Sequence, residues 1–227
     1  MAENTGFLYP FIDGDERDAD TLLADLAASA RDKARESSAL QRSTLAGCAE
    51  QIADAAAQLA QRFDRGGRLY SFGNGGSATD AATLAALFAR PAGGHRPLPA
   101  MNLAADQAVV TALGNDVGFD LVFSRQLIAH ASGSDIAVAF STSGNSADLM
   151  TALAEASKRG LLTIGLAGYN GGEMAGSGLL DFCFVVASQS VHRIQESQAL
   201  VGYELWAATQ RNLAETTRPT IGREVRM

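Results

Sequence analysis

The stretch SFGNGGSATDAATLAALFAR, residues 71–90, joins the end of an apolar run to a glycine-rich turn and then to a helical pattern. RLYSF, residues 68–72, is typical of a short strand, and the helix is predicted to begin at Ser77. Glycines let the backbone approach a ligand, and a helix N-terminus directs free N–H groups at an anion. The stretch therefore predicts an anion-binding loop between a strand and a helix.

A second loop of the same kind lies further along the chain. STSGNS, residues 141–146, follows the buried-strand pattern DIAVAF, residues 135–140, and precedes a helix predicted over residues 146–158. Its hydroxyls and backbone amides can surround a phosphate monoester without any lysine or arginine. Two such loops predict a phosphate-binding site in a protein whose formal net charge is −7.

The remaining segments alternate between strand and helix patterns. Further strands are predicted at residues 99–104, 161–167 and 181–187. Further helices are predicted at residues 18–37, 45–63, 106–113, 119–130 and 193–215. Near-continuous apolar strands in this order predict a parallel sheet with helices on both faces. Ligands of such sheets bind at the carboxyl ends of the strands, where the strand order switches.

Composition excludes several classes of function. Nonspecific binding of nucleic acid needs clustered lysine and arginine, which this acidic chain lacks, so no nucleic-acid partner is expected. Cys48 and Cys183 are interpreted as reduced thiols, and no Cys/His spacing suggests a metal site. The N-terminus has no secretory pattern and no apolar run is long enough to span a membrane. We therefore expect a cytoplasmic protein with no membrane partner.

A dinucleotide site is an alternative interpretation of the first loop. Gly73, Gly75 and Ala78 match the spacing G-x-G-x-x-G/A. That fingerprint requires an acidic residue about twenty positions later, and the nearest candidate here is Asp106, which is more distant. The alternative also leaves STSGNS unexplained. Neither a Gly-Lys-Ser/Thr phosphate loop nor a G-x-S-x-G nucleophile turn occurs.

Five motifs together resemble the sugar isomerase (SIS) domain family, and within it the phosphoheptose isomerase branch. They are GNGGSA (73–78), TALGND (111–116), STSGNS (141–146), GYNGGEMA (168–175) and HRIQES (192–197). This branch also includes a noncatalytic bacterial relative that associates with the replication initiator. The resemblance implies a flavodoxin-like three-layer αβα sandwich with a five-stranded parallel sheet, usually in a homotetramer. It suggests an N-terminal arm and helix (1–40), a SIS domain (41–215) and a mobile tail (216–227).

The resemblance also implies a set of ligand-binding residues. They are Asn74, Gly75, Gly76, Ser77, Asn115, Asp116, Ser141, Thr142, Ser143, Ser146 and Gln195. The hydroxyl-bearing residues of the second loop are expected to hold the phosphate. Asn115 and Asp116 are expected near the sugar. Gln195 is expected to enter from the last helix of a neighbouring subunit.

Three groups that the branch uses for catalysis are replaced in this chain. The branch carries a histidine and a glutamate four residues apart on the helix after GNGGS, where this sequence has Thr83 and Leu87. A second histidine, eight residues after the glutamine, is Tyr203 here. Isomerisation through an enediol needs a positioned base and a group that stabilises the oxyanion. The usual zinc site is therefore expected to be lost, with no cofactor in its place.

Two functions follow from these replacements. The first is a phosphosugar-binding protein without isomerase activity, either a ligand sensor or a tetrameric adaptor for a partner protein. The alternative is an active isomerase of sedoheptulose 7-phosphate, or a related sugar phosphate, with a rearranged acid/base set. His192 and Asp80 are the candidates to replace the missing base. The missing catalytic groups favour the first function over the alternative.

Overall fold

The computed structural model describes residues 19–216. The predicted arm, with Phe7, Tyr9 and Phe11, and the residues after Thr216 lie outside this range. The described chain divides into two compact units between Ala39 and Leu40. The first unit contains the beginning of a long helix. The second contains the sheet and the other helices. The predicted domain boundaries at residues 40 and 215 stay predictions.

The described chain contains seven α-helices and five strands. The helices are α1 (Ala19–Asp64), α2 (Gly76–Ala89), α3 (Gln107–Asp116), α4 (Val122–His130), α5 (Ala147–Lys158), α6 (Gly172–Gly176) and α7 (Val191–Thr216). A 3-10 turn, Phe119–Leu121, precedes α4. The strands are β1 (Leu69–Gly73), β2 (Ala100–Asn102), β3 (Ile136–Phe140), β4 (Leu162–Gly168) and β5 (Phe182–Val186). Within residues 19–216, no helix is both long and apolar enough to span a membrane.

All five strands are parallel and form one sheet in the order β2-β1-β3-β4-β5. Every residue of β1, β3 and β4 is buried, because helices cover both faces of the sheet. Alternate residues of β3 belong to two hydrophobic clusters: Ile136 and Val138 to one, Ala137 and Ala139 to the other. The predicted three-layer, flavodoxin-like fold is confirmed. The strand order switches between β1 and β3, the point at which such folds bind ligands.

Two helices differ from the sequence prediction. The separate helices predicted at residues 18–37 and 45–63 are wrong, because α1 runs through both without a break. The segment between them, SALQRST (38–44), contains neither glycine nor proline, so nothing in it ends the helix. In the first unit, Leu22, Leu23 and Leu26 are exposed. Helix α6 was not predicted, since its five residues include two glycines.

Candidate functional site

The two glycine- and serine-rich loops line one pocket. They follow β1 and β3, which pair in register from Leu69 with Ile136 to Gly73 with Phe140. The carboxyl ends of the two strands therefore meet at the same edge of the sheet. The pocket has a volume of about 90 Å³ and is lined by Asn74, Ser77, Phe140, Ser141, Thr142, Ser143, Ser146 and Leu149. Six of these eight residues belong to the binding residues predicted from the sequence.

The shape of the second loop depends on Ser141 and Gly144. The Ser141 hydroxyl accepts a hydrogen bond from the Gly144 N–H at 2.9 Å, and Ser141 is buried. Gly144 has a φ of +69°, and a side chain there would collide with the Gly171 carbonyl, so this position requires glycine. Ser146 is the N-cap residue of α5, yet its side chain makes no capping bond. Its hydroxyl and the first N–H groups of α5 therefore remain for an anion.

The first loop brings Gln195 of the same chain close to α2. Gly75, with a φ of +54°, precedes the first residue of α2, Gly76. A Cβ atom on Gly76 would lie 2.5 Å from Nε2 of Gln195, so this close approach needs glycine. Gln195 Nε2 donates to Oδ2 of Asp80 at 2.9 Å. This contact forms within one chain, and the entry of Gln195 into the site of a neighbouring subunit stays a prediction.

Asp80 has the electrostatics of a candidate base. It lies in the second turn of α2 and is partly buried. Burial raises the pKa of its carboxyl above the usual aspartate range, and the hydrogen bond from Gln195 opposes that rise. A carboxylate with a raised pKa is a stronger proton acceptor than an exposed one. Asp80, one of the two candidates for the missing base, therefore lies one turn beyond Ser77.

Asp148 is a site residue that the sequence analysis missed. Its side chain is 3% exposed, and both of its carboxylate oxygens accept from Nδ2 of Asn74, at 3.1 and 2.9 Å. It lies in the first turn of α5, where an acidic residue is ordinary because the helix dipole favours negative charge. Only the fold reveals its partner, which is 74 positions away in sequence.

Seven of the residues predicted from the sequence do not line this pocket: Gly75, Gly76, Asp80, Asn115, Asp116, His192 and Gln195. Asn115 and Asp116 are exposed at the end of α3, where the Asn115 side-chain amide donates to Asp116 at 2.8 Å. His192 is exposed in the first turn of α7. Asp106, the nearest acid for a dinucleotide site, instead caps α3 by accepting from the N–H groups of Ala108 and Val109. This use of Asp106 as a helix cap leaves the dinucleotide interpretation without its acidic residue.

The positions of the three replaced groups do not fit a zinc site. Thr83 is exposed and its hydroxyl donates to the Thr79 carbonyl at 3.0 Å, while Leu87 packs against the hydrophobic core. Tyr203 is exposed, with its ring centroid 5.4 Å from that of Trp206. Over the part of the chain that the structure describes, no group of three or more His, Cys, Asp or Glu side chains is placed to hold a metal ion. The expected loss of the zinc site stays a prediction.

A larger hollow lies elsewhere on the second unit. It has a volume of about 560 Å³ and is lined by residues of α1 and α7, together with Arg65. None of the predicted binding residues lines it. The small pocket at the strand ends is therefore the better candidate for the site, because it collects polar groups from two loops at the switch in strand order.

The fold and this site together define a SIS domain. Residues 34–168 match the SIS domain family, and the chain belongs to that family. Its relatives include phosphoheptose isomerases. That of Rhodospirillum rubrum is 44% identical over 162 residues, which cover 71% of this chain and 85% of the relative. That of Nitratidesulfovibrio vulgaris strain Hildenborough is 40% identical over 181 residues, which cover 79% of this chain and 86% of the relative.

Solved structures agree with this assignment. The phosphoheptose isomerase of Neisseria gonorrhoeae superposes with a TM-score of 0.76 and is 32% identical, covering 82% of this chain and 99% of that one. The resemblance to the phosphoheptose isomerase branch is thereby confirmed. The first functional hypothesis, a noncatalytic sensor or adaptor, is wrong, because curated phosphoheptose isomerases match most of the chain at 39–46% identity. The findings favour the alternative hypothesis of an active isomerase.

Proposed function

We propose that this protein is a sugar-phosphate isomerase of the phosphoheptose isomerase type, acting on sedoheptulose 7-phosphate or a related sugar phosphate. The observation that carries the proposal is the match to phosphoheptose isomerases over most of the chain. The pocket supports it, because one shared cavity offers the hydroxyls and helix N-terminus that bind a phosphate monoester. The phosphate binds at residues 141–146, and the sugar extends towards the loop that contains Asn74.

Asp80 is the residue best placed to act as the base. Aldose–ketose isomerisation removes a proton from one carbon and returns it to the next through an enediol. The ionised carboxylate accepts this proton, and its raised pKa improves the match to neutral pH. Gln195 holds the carboxylate in place through its 2.9 Å hydrogen bond. Neither Asp80 nor His192 lines the small pocket itself. His192 is the weaker candidate, since it is exposed, whereas Asp80 is partly buried and held by Gln195.

This scheme contains no metal-dependent step. Threonine, leucine and tyrosine at positions 83, 87 and 203 do not supply the nitrogen, sulfur or carboxylate ligands that zinc prefers. We further propose that the enzyme works in the cytoplasm as a homo-oligomer, with a tetramer as the expected state. Light scattering of the full chain measures that state. A protein partner and the lack of a nucleic-acid partner stay predictions.

A phosphorus NMR time course with sedoheptulose 7-phosphate tests the proposed activity. The purified protein is assayed with added zinc and with a chelator, beside the variants Asp80→Asn and Asp54→Asn. Asp54 is an exposed residue of α1 and serves as the control. We expect a new product resonance with the wild type and with Asp54→Asn, and none with Asp80→Asn. Turnover should fall as the pH drops through the raised pKa of Asp80, because the base must be ionised.

Three results would contradict different parts of the proposal. A broadened substrate resonance without any product means that the pocket binds sugar phosphate but does not isomerise it. Full turnover by Asp80→Asn means that the activity exists and that another group is the base. Turnover that requires added zinc would contradict the metal-free scheme.

A further inference from the structure

The contact between Asp148 and Asn74 links a buried carboxylate to a partly buried amide that lines the pocket. Asn74 follows β1 and lines the cavity, while Asp148 is almost fully buried in the first turn of α5. One amide nitrogen donates to both carboxylate oxygens, at 3.1 and 2.9 Å. The pair therefore joins the first loop to the helix that follows the second loop.

This contact decides which way the amide of Asn74 points. A carboxylate only accepts hydrogen bonds, so Nδ2 must face Asp148, and a flipped amide would bring its oxygen against the two carboxylate oxygens. The other end of the amide, Oδ1, is then left as an acceptor for whatever occupies the cavity. We propose that Asp148 is a positioning residue that fixes this orientation and so divides the pocket into a phosphate end and a hydroxyl end.

The two ends differ in hydrogen-bonding character. Residues 141–146 offer hydroxyl and N–H donors, which suit the oxygens of a phosphate dianion. Asn74 offers an acceptor, which suits the hydroxyl of a sugar and disfavours a phosphate oxygen. The buried carboxylate behind it adds negative charge, which also disfavours phosphate at that end. A sugar phosphate is thus bound in one direction. This inference rests on the proposed function, since it concerns the same ligand class.

The experiment compares a ligand that has sugar hydroxyls with one that has none. The dissociation constants of sedoheptulose 7-phosphate and of inorganic phosphate are measured by phosphorus NMR titration. The variants are Asp148→Asn, Asn74→Ala and the double variant, with Asp54→Asn as the control. Thermal unfolding of each variant shows whether it is folded at the assay temperature. The Asp148→Asn substitution leaves the shape of the side chain unchanged but allows the amide of Asn74 to flip.

We expect Asp148→Asn to weaken the sugar phosphate about tenfold, the effect of losing one well-placed hydrogen bond, without weakening inorganic phosphate. Asn74→Ala should show the same selective loss, and the double variant should lose no more than Asn74→Ala alone, because Asp148 acts through Asn74. Should Asp148→Asn fail to fold, Asn74→Ala still tests whether Asn74 contacts the sugar, and an unchanged sugar-phosphate affinity in that variant overturns the inference.

Equal weakening of both ligands by Asp148→Asn would overturn the inference, since it indicates a general loss of structure or of the α5 N-terminus. Unchanged sugar-phosphate binding by Asn74→Ala would overturn it as well. These measurements concern binding and not turnover. If the wild type binds the substrate without converting it, the isomerase proposal fails. The dissociation constants of sedoheptulose 7-phosphate and inorganic phosphate, compared between variants, still test the positioning role of Asp148. If it binds neither probe, the pocket assignment and this inference both fail.

Discussion

Gly76→Ala is expected to separate Gln195 from Asp80 without unfolding the protein. The new Cβ atom would lie 2.5 Å from Nε2 of Gln195, whereas ordinary contacts begin at 3.4 Å. The amide must therefore retreat by about 1 Å, and a displacement of this size is enough to break the 2.9 Å bond to Asp80. The obstructing atoms belong to the end of a flexible side chain, so the backbone of α2 can stay in place.

The expected effects on stability and on activity differ in size. Loss of the hydrogen bond costs about 1 kcal/mol, and replacing glycine in a helix by alanine returns up to about 1 kcal/mol, so the net change is small. Misplacing a catalytic group by about 1 Å can lower the rate by roughly a hundredfold. Losing the donor also raises the pKa of Asp80 further, because that hydrogen bond favours the ionised form.

The assay combines thermal unfolding with the pH dependence of kcat/KM for sedoheptulose 7-phosphate. We expect Gly76→Ala to unfold within a few degrees of the wild type. Its kcat/KM should fall between ten- and a hundredfold, and the acid limb of its pH–rate profile should move to higher pH. Gly47→Ala is the matched control. Gly47 is an exposed glycine of α1 with no atom near its added Cβ, so that variant should gain stability and keep full activity.

A Gly76→Ala variant with wild-type kcat/KM and an unmoved acid limb would refute the reasoning. Neither the approach of Gln195 to α2 nor its bond to Asp80 would then matter for turnover. A variant that fails to fold would show instead that the Gln195 side chain cannot move aside. In that case the inferred flexibility is wrong.

The second loop (residues 141–146), the end of β4 and the partly buried thiol of Cys183 each provide a further test. Ser146→Ala should weaken binding of inorganic phosphate about tenfold with little change in Tm, while Ser157→Ala, at the exposed end of α5, should change neither. Gly168→Ala places a methyl group 2.5 Å from the Thr142 carbonyl oxygen and should destabilise the protein by about 1–3 kcal/mol, seen as a lower Tm. Burial raises the pKa of Cys183 to about 11, so roughly one thiol in a thousand is ionised at pH 8 and alkylation by iodoacetamide should be very slow; rapid labelling of the folded protein would contradict this.

The fold was largely predictable because its strands have simple patterns. DIAVAF and LLTIGLA are apolar almost throughout, as buried parallel strands are, and their positions differ from β3 and β4 by one residue. The length of α1 was not predictable from periodicity, since residues 38–44 lack an apolar stripe yet contain no residue that ends a helix. Pattern shows which residues a helix buries more reliably than where the helix stops.

The two loops of the site could be predicted from the sequence, but its hydrogen-bonded side-chain pairs could not. GNGGS and STSGNS indicate anion binding by local chemistry, and the parallel sheet brings them together. The pairs Asn74–Asp148 and Asp80–Gln195 join residues 74 and 115 positions apart, so no local pattern reveals them. The raised pKa of Asp80 comes from burial, which is also a property of the fold.

The function was misjudged for a related reason. Positions 83, 87 and 203 lack the groups that the branch uses, and their absence predicts a loss of catalysis. The absence of these catalytic side chains does not show which other side chains lie close to the ligand. Identity of 40% or more along most of the chain carries information about the whole scaffold, which three positions do not.

The pairing of β1 with β3 has a consequence for the refolding chain. The halves of the pocket are separated by more than sixty residues, among them β2, α3 and α4, and they meet only once this long loop has closed. Closing it costs chain entropy before any contact compensates, so it belongs among the slower steps. Phosphate binding during refolding should therefore appear after most helical signal has returned. The recovery of phosphate binding would thus report when the central sheet is complete.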